Sequence, residues 1–95
     1  MAAGDIYQAG PSSVAAGAFL ALQPPAGAVV VHNIYYAGAV EFYFYDGTNA
    51  ILFDSDPSAG ARLNLTHHCT NAKYVRVKNV GTGSIYIGAD GMFTA

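Results

Sequence analysis

No stretch of this chain runs far without a glycine or a proline. The breaks fall at Gly10-Pro11, Pro24-Pro25-Ala26-Gly27, Asp46-Gly47, Asp56-Pro57, Gly81-Thr82-Gly83 and Asp90-Gly91. Proline removes a backbone donor and fixes φ, while glycine opens turn conformations closed to other residues. Between the breaks lie short runs rich in Val, Ile, Tyr and Phe. Such runs, separated by turn signals every 8–12 residues or so, are the pattern of an all-β sandwich or barrel. The expected fold is a single antiparallel β-sandwich of about eight or nine short strands, with a jelly roll among the topologies it admits.

Strands are expected near 5–9, 17–23, 28–36, 39–45, 50–54, 61–67, 72–79, 84–88 and 91–94. Residues 12–18 (SSVAAGA) compete as one helical turn, weakened by a glycine inside the run and another just before it. No other stretch holds a helical apolar period for long. Alternation assigns faces in the second half. Leu63 and Leu65 are expected to face in, as are Val75 and Val77, leaving Tyr74, Arg76 and Lys78 on one outer face. In Ser84-Ile85-Tyr86-Ile87, Tyr86 points out. Val80-Gly81-Thr82-Gly83 reads as a hairpin between two of these strands.

The run VEFYFYDGTNAILFDSDP (residues 40–57) reads as a second hairpin turning at Asp46-Gly47. Phe42, Phe44 and Phe53 are assigned to the core, and Tyr43 and Tyr45 to the outside. The Pro24-Pro25 pair sets a boundary between residues 1–23 and a sandwich core over 24–95. The first segment, rich in Ala, Gly and Ser, is read as an N-terminal arm with the first strands, mobile until it lies along a partner.

Charge narrows the functional classes. Only 11% of the residues are charged, against about 25% in typical globular domains. A chain with so few charges has little with which to cover its outside, so much of that outside is expected to meet other chains. The net charge is −2, with Arg62, Arg76, Lys73 and Lys78 as the permanent cations. That balance argues against a nucleic-acid partner. No apolar run reaches the roughly 18–20 residues of a membrane helix, so no membrane partner is expected. Cys69 is the single cysteine, which excludes an intrachain disulfide. The first residues, MAAGDIYQAG, lack the basic and apolar regions of a signal peptide.

Candidate chemistry is sparse. Asp46, Asp54 and Asp56 offer oxygen ligands, but not the alternating pattern with a closing glutamate of a calcium loop. Turn formation is the simpler role for Asp56-Pro57. In His67-His68-Cys69, neighbours on a strand face opposite sides, so at most His67 and Cys69 could share an ion, with His32 the one other histidine. Cys69 is better read as a small core residue. There is no nucleophile elbow, no phosphate loop and no carboxylate pair in an evident cleft. The expectation is a protein that is not an enzyme, with no catalytic, metal or cofactor-binding residues.

Seven tyrosines and no tryptophan remain to be explained. Tyrosine combines contact area with one polar tip and is enriched where surfaces meet. The candidate protein-contact residues are therefore Tyr43, Tyr45, Tyr74, Arg76, Lys78 and Tyr86. Exposed tyrosines also admit a carbohydrate-binding sandwich as a second reading.

The last third, YVRVKNVGTGSIYIGADGMFTA, carries a resemblance. A strand ending Arg-x-Lys-Asn (Arg76 to Asn79), a Gly-rich turn (Gly81 to Ser84), Ile-Tyr-Ile-Gly (Ile85 to Gly88), then Asp90-Gly91 and a final strand resemble small tailed-bacteriophage virion proteins. The preceding Ala-Gly-Ala-Arg-Leu-Asn-Leu and His-Cys-Thr-Asn suit the same group, so the likeness spans roughly residues 40–95. It implies a capsid decoration or cement protein that binds the major capsid protein or another virion protein, forms homo-oligomers and is assembled in the bacterial cytoplasm. Accessory proteins of the head, neck or tail fit the same pattern.

Overall fold

Asp46, midway along the chain, folds it back on itself at an exposed turn. Its Oδ1 accepts hydrogen bonds from the amides of Thr48 (2.9 Å) and Asn49 (2.6 Å), and Gly47 takes φ +95°. Side-chain capping of this kind, with a left-handed glycine, closes a tight hairpin. The computed structural model describes residues 2–95. The described residues form nine strands: β1 (Ile6–Val14), β2 (Phe19–Leu22), β3 (Ala28–Tyr36), β4 (Val40–Tyr45), β5 (Ala50–Asp56), β6 (Gly60–Arg62), β7 (His67–Thr70), β8 (Tyr74–Asn79) and β9 (Ile85–Phe93).

From that hairpin the chain pairs outward in both directions: β4 with β5, β3 with β6 and β7, β2 with β8, and β1 with β9, all antiparallel. Rolling this long ribbon adds β3–β9 and β4–β8 pairing. Two sheets result, β1-β9-β3-β6 with β7 also on β3, and β2-β8-β4-β5. Taking β6 and β7 as halves of one interrupted strand, this is the strand order of a jelly roll. The all-β sandwich expected from the punctuation is the fold.

The interruption has a local cause. The β3–β9 register shifts between Val31 and Asn33, so His32 is the extra residue of a bulge. Its carbonyl accepts from Leu65 N (2.8 Å), and its Nδ1 donates to Leu65 O (3.0 Å). Asn64 adopts φ +58° beside it. The expected strand over 61–67 is thereby cut into β6 and β7, and Leu63, assigned to the core, is 56% exposed. Gly91 explains another difference. A Cβ there would collide with the Val30 carbonyl, so Asp90-Gly91 is not a turn but the place where β9 passes close to β3. The expected strands 84–88 and 91–94 are one.

Two further expectations are corrected. Residues 12–14 belong to β1, not to a helical turn. The 80–84 segment is not a hairpin, because β8 and β9 lie in different sheets. Asn79, fully buried, holds this crossing: its Nδ2 donates to Val14 O (2.9 Å) and Gly83 O (2.7 Å), and its Oδ1 accepts from Gly81 N (2.9 Å). The segment before Pro24, read as an arm with the first strands, supplies β1 and β2, with Tyr7, Val14 and Leu22 in the core. Pro24 is itself buried, a corner within one sandwich.

The core lies between the sheets around Phe42, Phe93, Leu22, Ile34, Ile87 and the valines at 29, 31, 40, 75 and 77. Phe44 packs at its margin. Phe53, expected inside, is 43% exposed.

Candidate functional site

Alternation along β8 buries Val75 and Val77 and turns Tyr74, Arg76 and Lys78 outward, as the sequence indicates. On β4 it turns Glu41, Tyr43 and Tyr45 to the same side, directly across from Lys78, Arg76 and Tyr74. From the other flank, β2 brings Phe19 opposite Lys78. The Arg76 guanidinium lies between two rings, 4.0 Å from the centroid of Phe19 and 3.9 Å from that of Tyr45. Tyr43 meets Phe19 edge-on at 5.8 Å, Tyr74 meets Tyr45 at 5.7 Å, and Lys78 Nζ is 5.7 Å from the Phe19 ring.

This layer is held from within. Tyr43 OH donates to Glu41 Oε1 at 2.6 Å and Tyr45 OH to Gly47 O at 2.9 Å. The bond to Glu41 raises the Tyr43 phenol above its ordinary pKa. A cation between two rings contributes from about 0.5 to 2 kcal/mol depending on its desolvation. Arg76 Nε is buried without a hydrogen-bond partner, and no carboxylate of the described residues pairs with Arg76 or Lys78. The face is thus closely packed, aromatic and, with Arg76 and Lys78 against the single Glu41, net cationic. Five of the six candidate contact residues meet here. Tyr86, 63% exposed, does not: it stands on the outer face of the other sheet.

Beside this face runs β5, the edge of its sheet. Ile51, Leu52 and Phe53 are 63%, 50% and 43% exposed. A register shift between Phe42 and Tyr43 leaves Phe53 as the bulged residue, which tilts its ring toward His67 (5.2 Å) and Phe42 (6.3 Å). Edge strands with contiguous exposed apolar residues are templates for pairing with another chain. The acidic end of β5 is different. Arg62 Nε bonds Asp54 Oδ2 at 3.0 Å, its Nη2 bonds Ser55 O at 3.1 Å, and its Nη1 lies 3.9 Å from Asp56 Oδ2. Tyr36 OH donates to Asp56 Oδ2 at 2.6 Å. These contacts clamp β5 to β6 across the mouth of the sandwich. The Tyr36 bond and the Ser58 amide hold Asp56 below its ordinary pKa, while burial and the Asp56 bond push Tyr36 up to about 12.

Asp54 and Asp56 are therefore ion-pair and turn residues here, with Asp56 Oδ1 accepting from Ser58 N (3.1 Å). Cys69 is fully buried, and burial raises its thiol pKa. No three His, Cys, Asp or Glu residues converge on a metal position among the described residues.

The sequence reading missed Phe19, Ile51 and Leu52. Phe19 was detectable, since it alternates with the buried Leu22 side of β2 and is the one aromatic there. Ile51 and Leu52 were not, because a continuous apolar run reads equally as a buried strand. No protein-family model matches the chain, and no curated protein matches it in sequence.

Proposed function

We propose that the protein is a non-catalytic structural module that coats or clamps a protein assembly, in the manner of a capsid decoration protein of a tailed phage. The observation that carries this reading is the Phe19–Arg76–Tyr45 layer with the exposed apolar edge of β5 beside it. Leu52, directly across from Tyr43, extends the layer to that edge, while Ile51, across from Phe44, and Phe53, against Phe42, flank it on the inner side of the strand. The layer is suited to the rim of a partner protein, where Arg76 and Lys78 meet carboxylates or carbonyls without reorganising. Its rings are already ordered, which lowers the entropy lost on docking.

The β5 edge is suited to a second copy. Antiparallel pairing about a two-fold axis centred on Leu52 sets Leu52 against Leu52 and Ile51 against Phe53, with Asp54 opposite Ala50, so the acids do not meet. Repeated weak contacts over a symmetric lattice then add by avidity.

The test is co-sedimentation of the purified protein with the capsids of the phage that encodes it. Arg76→Ala and Leu52→Lys are each expected to reduce retention by about tenfold or more, the loss of about 1.4 kcal/mol. Retention of both variants at the level of the unaltered protein contradicts the proposal.

A further inference from the structure

On the opposite side of the sandwich the outer face of β9 carries Tyr86, Gly88 and Asp90 in line, at alternate positions. Gly88 has no side chain, so the Pro11 backbone packs closely against it, and Tyr35 and Tyr86 rise above this low floor to form a trough. On one side stands Tyr35 of β3, which pairs with Gly88. On the other runs the Gly10-Pro11 segment of β1, whose backbone would lie 3.2 Å from a Cβ at Gly88. The trough has a volume of about 380 Å³, near the lower end of small-ligand sites, roughly 300–1,000 Å³.

Its chemistry is selective. Tyr35 and Tyr86 are 44% and 63% exposed, giving apolar ring surface on the walls. The floor is backbone and proline. The polar groups sit at one end, where Asp90 lies directly across from Gln8. Asp90 is fixed in place: Asn33 Nδ2 donates to its Oδ1 at 2.7 Å and Tyr35 OH to its Oδ2 at 3.1 Å. Asn33 is itself tied to the 63–66 bridge through Asn64 N (3.3 Å). No lysine or arginine lines the trough, so an anion would meet Asp90 with nothing to offset it. The fitting ligand has a flat apolar face for the rings and hydroxyl groups for a carboxylate and an amide at the edge.

We propose that this trough binds a neutral saccharide of one or two rings, stacked on Tyr35 and Tyr86 with its hydroxyls on Asp90 and Gln8. The site lies on the other sheet from the proposed protein-contact surface and stands independently of it.

The experiment follows backbone amide signals of the full chain during titration with tetrasaccharides of glucose, mannose, galactose and N-acetylglucosamine, each to about 10 mM, above the millimolar affinity of a site with few contacts. The expected result is saturable shifts at Tyr35, Tyr86, Gly88 and Asp90 with at least one of them. Tyr86→Ala should weaken that binding by about tenfold or more and leave both the thermal transition and capsid co-sedimentation unchanged. Absence of saturable shifts with all four sugars overturns the proposal. So do shifts unaffected by Tyr86→Ala, and so does choline chloride binding the same residues more tightly than any sugar, which would mark a cation site.

Discussion

On the four-stranded sheet, Tyr43 and Tyr45 are half-buried, with rings packed on Phe19, Arg76 and Tyr74 and hydroxyls bonded to Glu41 and Gly47. On the five-stranded sheet, Tyr35 and Tyr86 stand beside Gly88, with ring faces open to solvent. The residue type is the same and both faces are outward. What differs is the cross-strand neighbour: a guanidinium and a ring on one side, a missing side chain on the other. One face is a closed layer that can meet a surface, and the other is a trough that can receive a small ligand. An outward tyrosine acquires its role from what the register places next to it.

That contrast can be broken from the inside first. Asn79 anchors the crossing that sets β8 under β9, so Asn79→Ala leaves Val14 O, Gly83 O and Gly81 N without their partner. It should destabilise the protein by about 3 kcal/mol in chemical denaturation, and both faces should lose order together. Gly91→Ala acts on the grooved sheet alone, by forcing β9 from the Val30 carbonyl. A cost of roughly 1–3 kcal/mol is expected, with amide shifts concentrated on β3 and β9. Arg76→Ala sharpens the comparison from the other side. Removing the cation between Phe19 and Tyr45 should cost about 1–2 kcal/mol, whereas Tyr86→Ala should stay within about 0.5 kcal/mol of the unaltered protein.

The clamp between β5 and β6 gives a pH signature on each flank. The folded pKa of Asp56 is depressed, so its contribution is present above the unfolded carboxylate pKa and is lost as pH falls through the folded value. Tyr36 is the reverse case. Its pKa is raised from 10.0 to about 12, so its contribution is complete below pH 10 and fades between 10 and 12. Melting temperatures should fall at both ends, and Tyr36→Phe should flatten the alkaline limb. An alkaline limb unchanged by Tyr36→Phe would remove the hydroxyl from the clamp.

Much of the fold was legible because period-two alternation is a local signal. It located β3, β4 and β8 closely, put Val75 and Val77 inside, and gathered Tyr43, Tyr45, Tyr74, Arg76 and Lys78 on one side. It failed where long-range pairing decides. The 61–67 run is cut only because His32 bulges opposite it, and Asp90-Gly91 continues a strand only because Val30 needs room. Keeping Phe53 out of the core required knowing that β5 has a neighbour on one side alone. For the same reason Tyr86 could not be separated from the other candidates, since no local pattern says which sheet a strand will join.

Whether β5 is an interface is the most direct question, and sedimentation equilibrium answers it. A dimer or larger species of the 9.9 kDa chain is expected at about 100 μM, within reach of a micromolar contact, and a monomer for Leu52→Lys with an unchanged fold. An unaltered protein that sediments as a 9.9 kDa monomer under those conditions would contradict it.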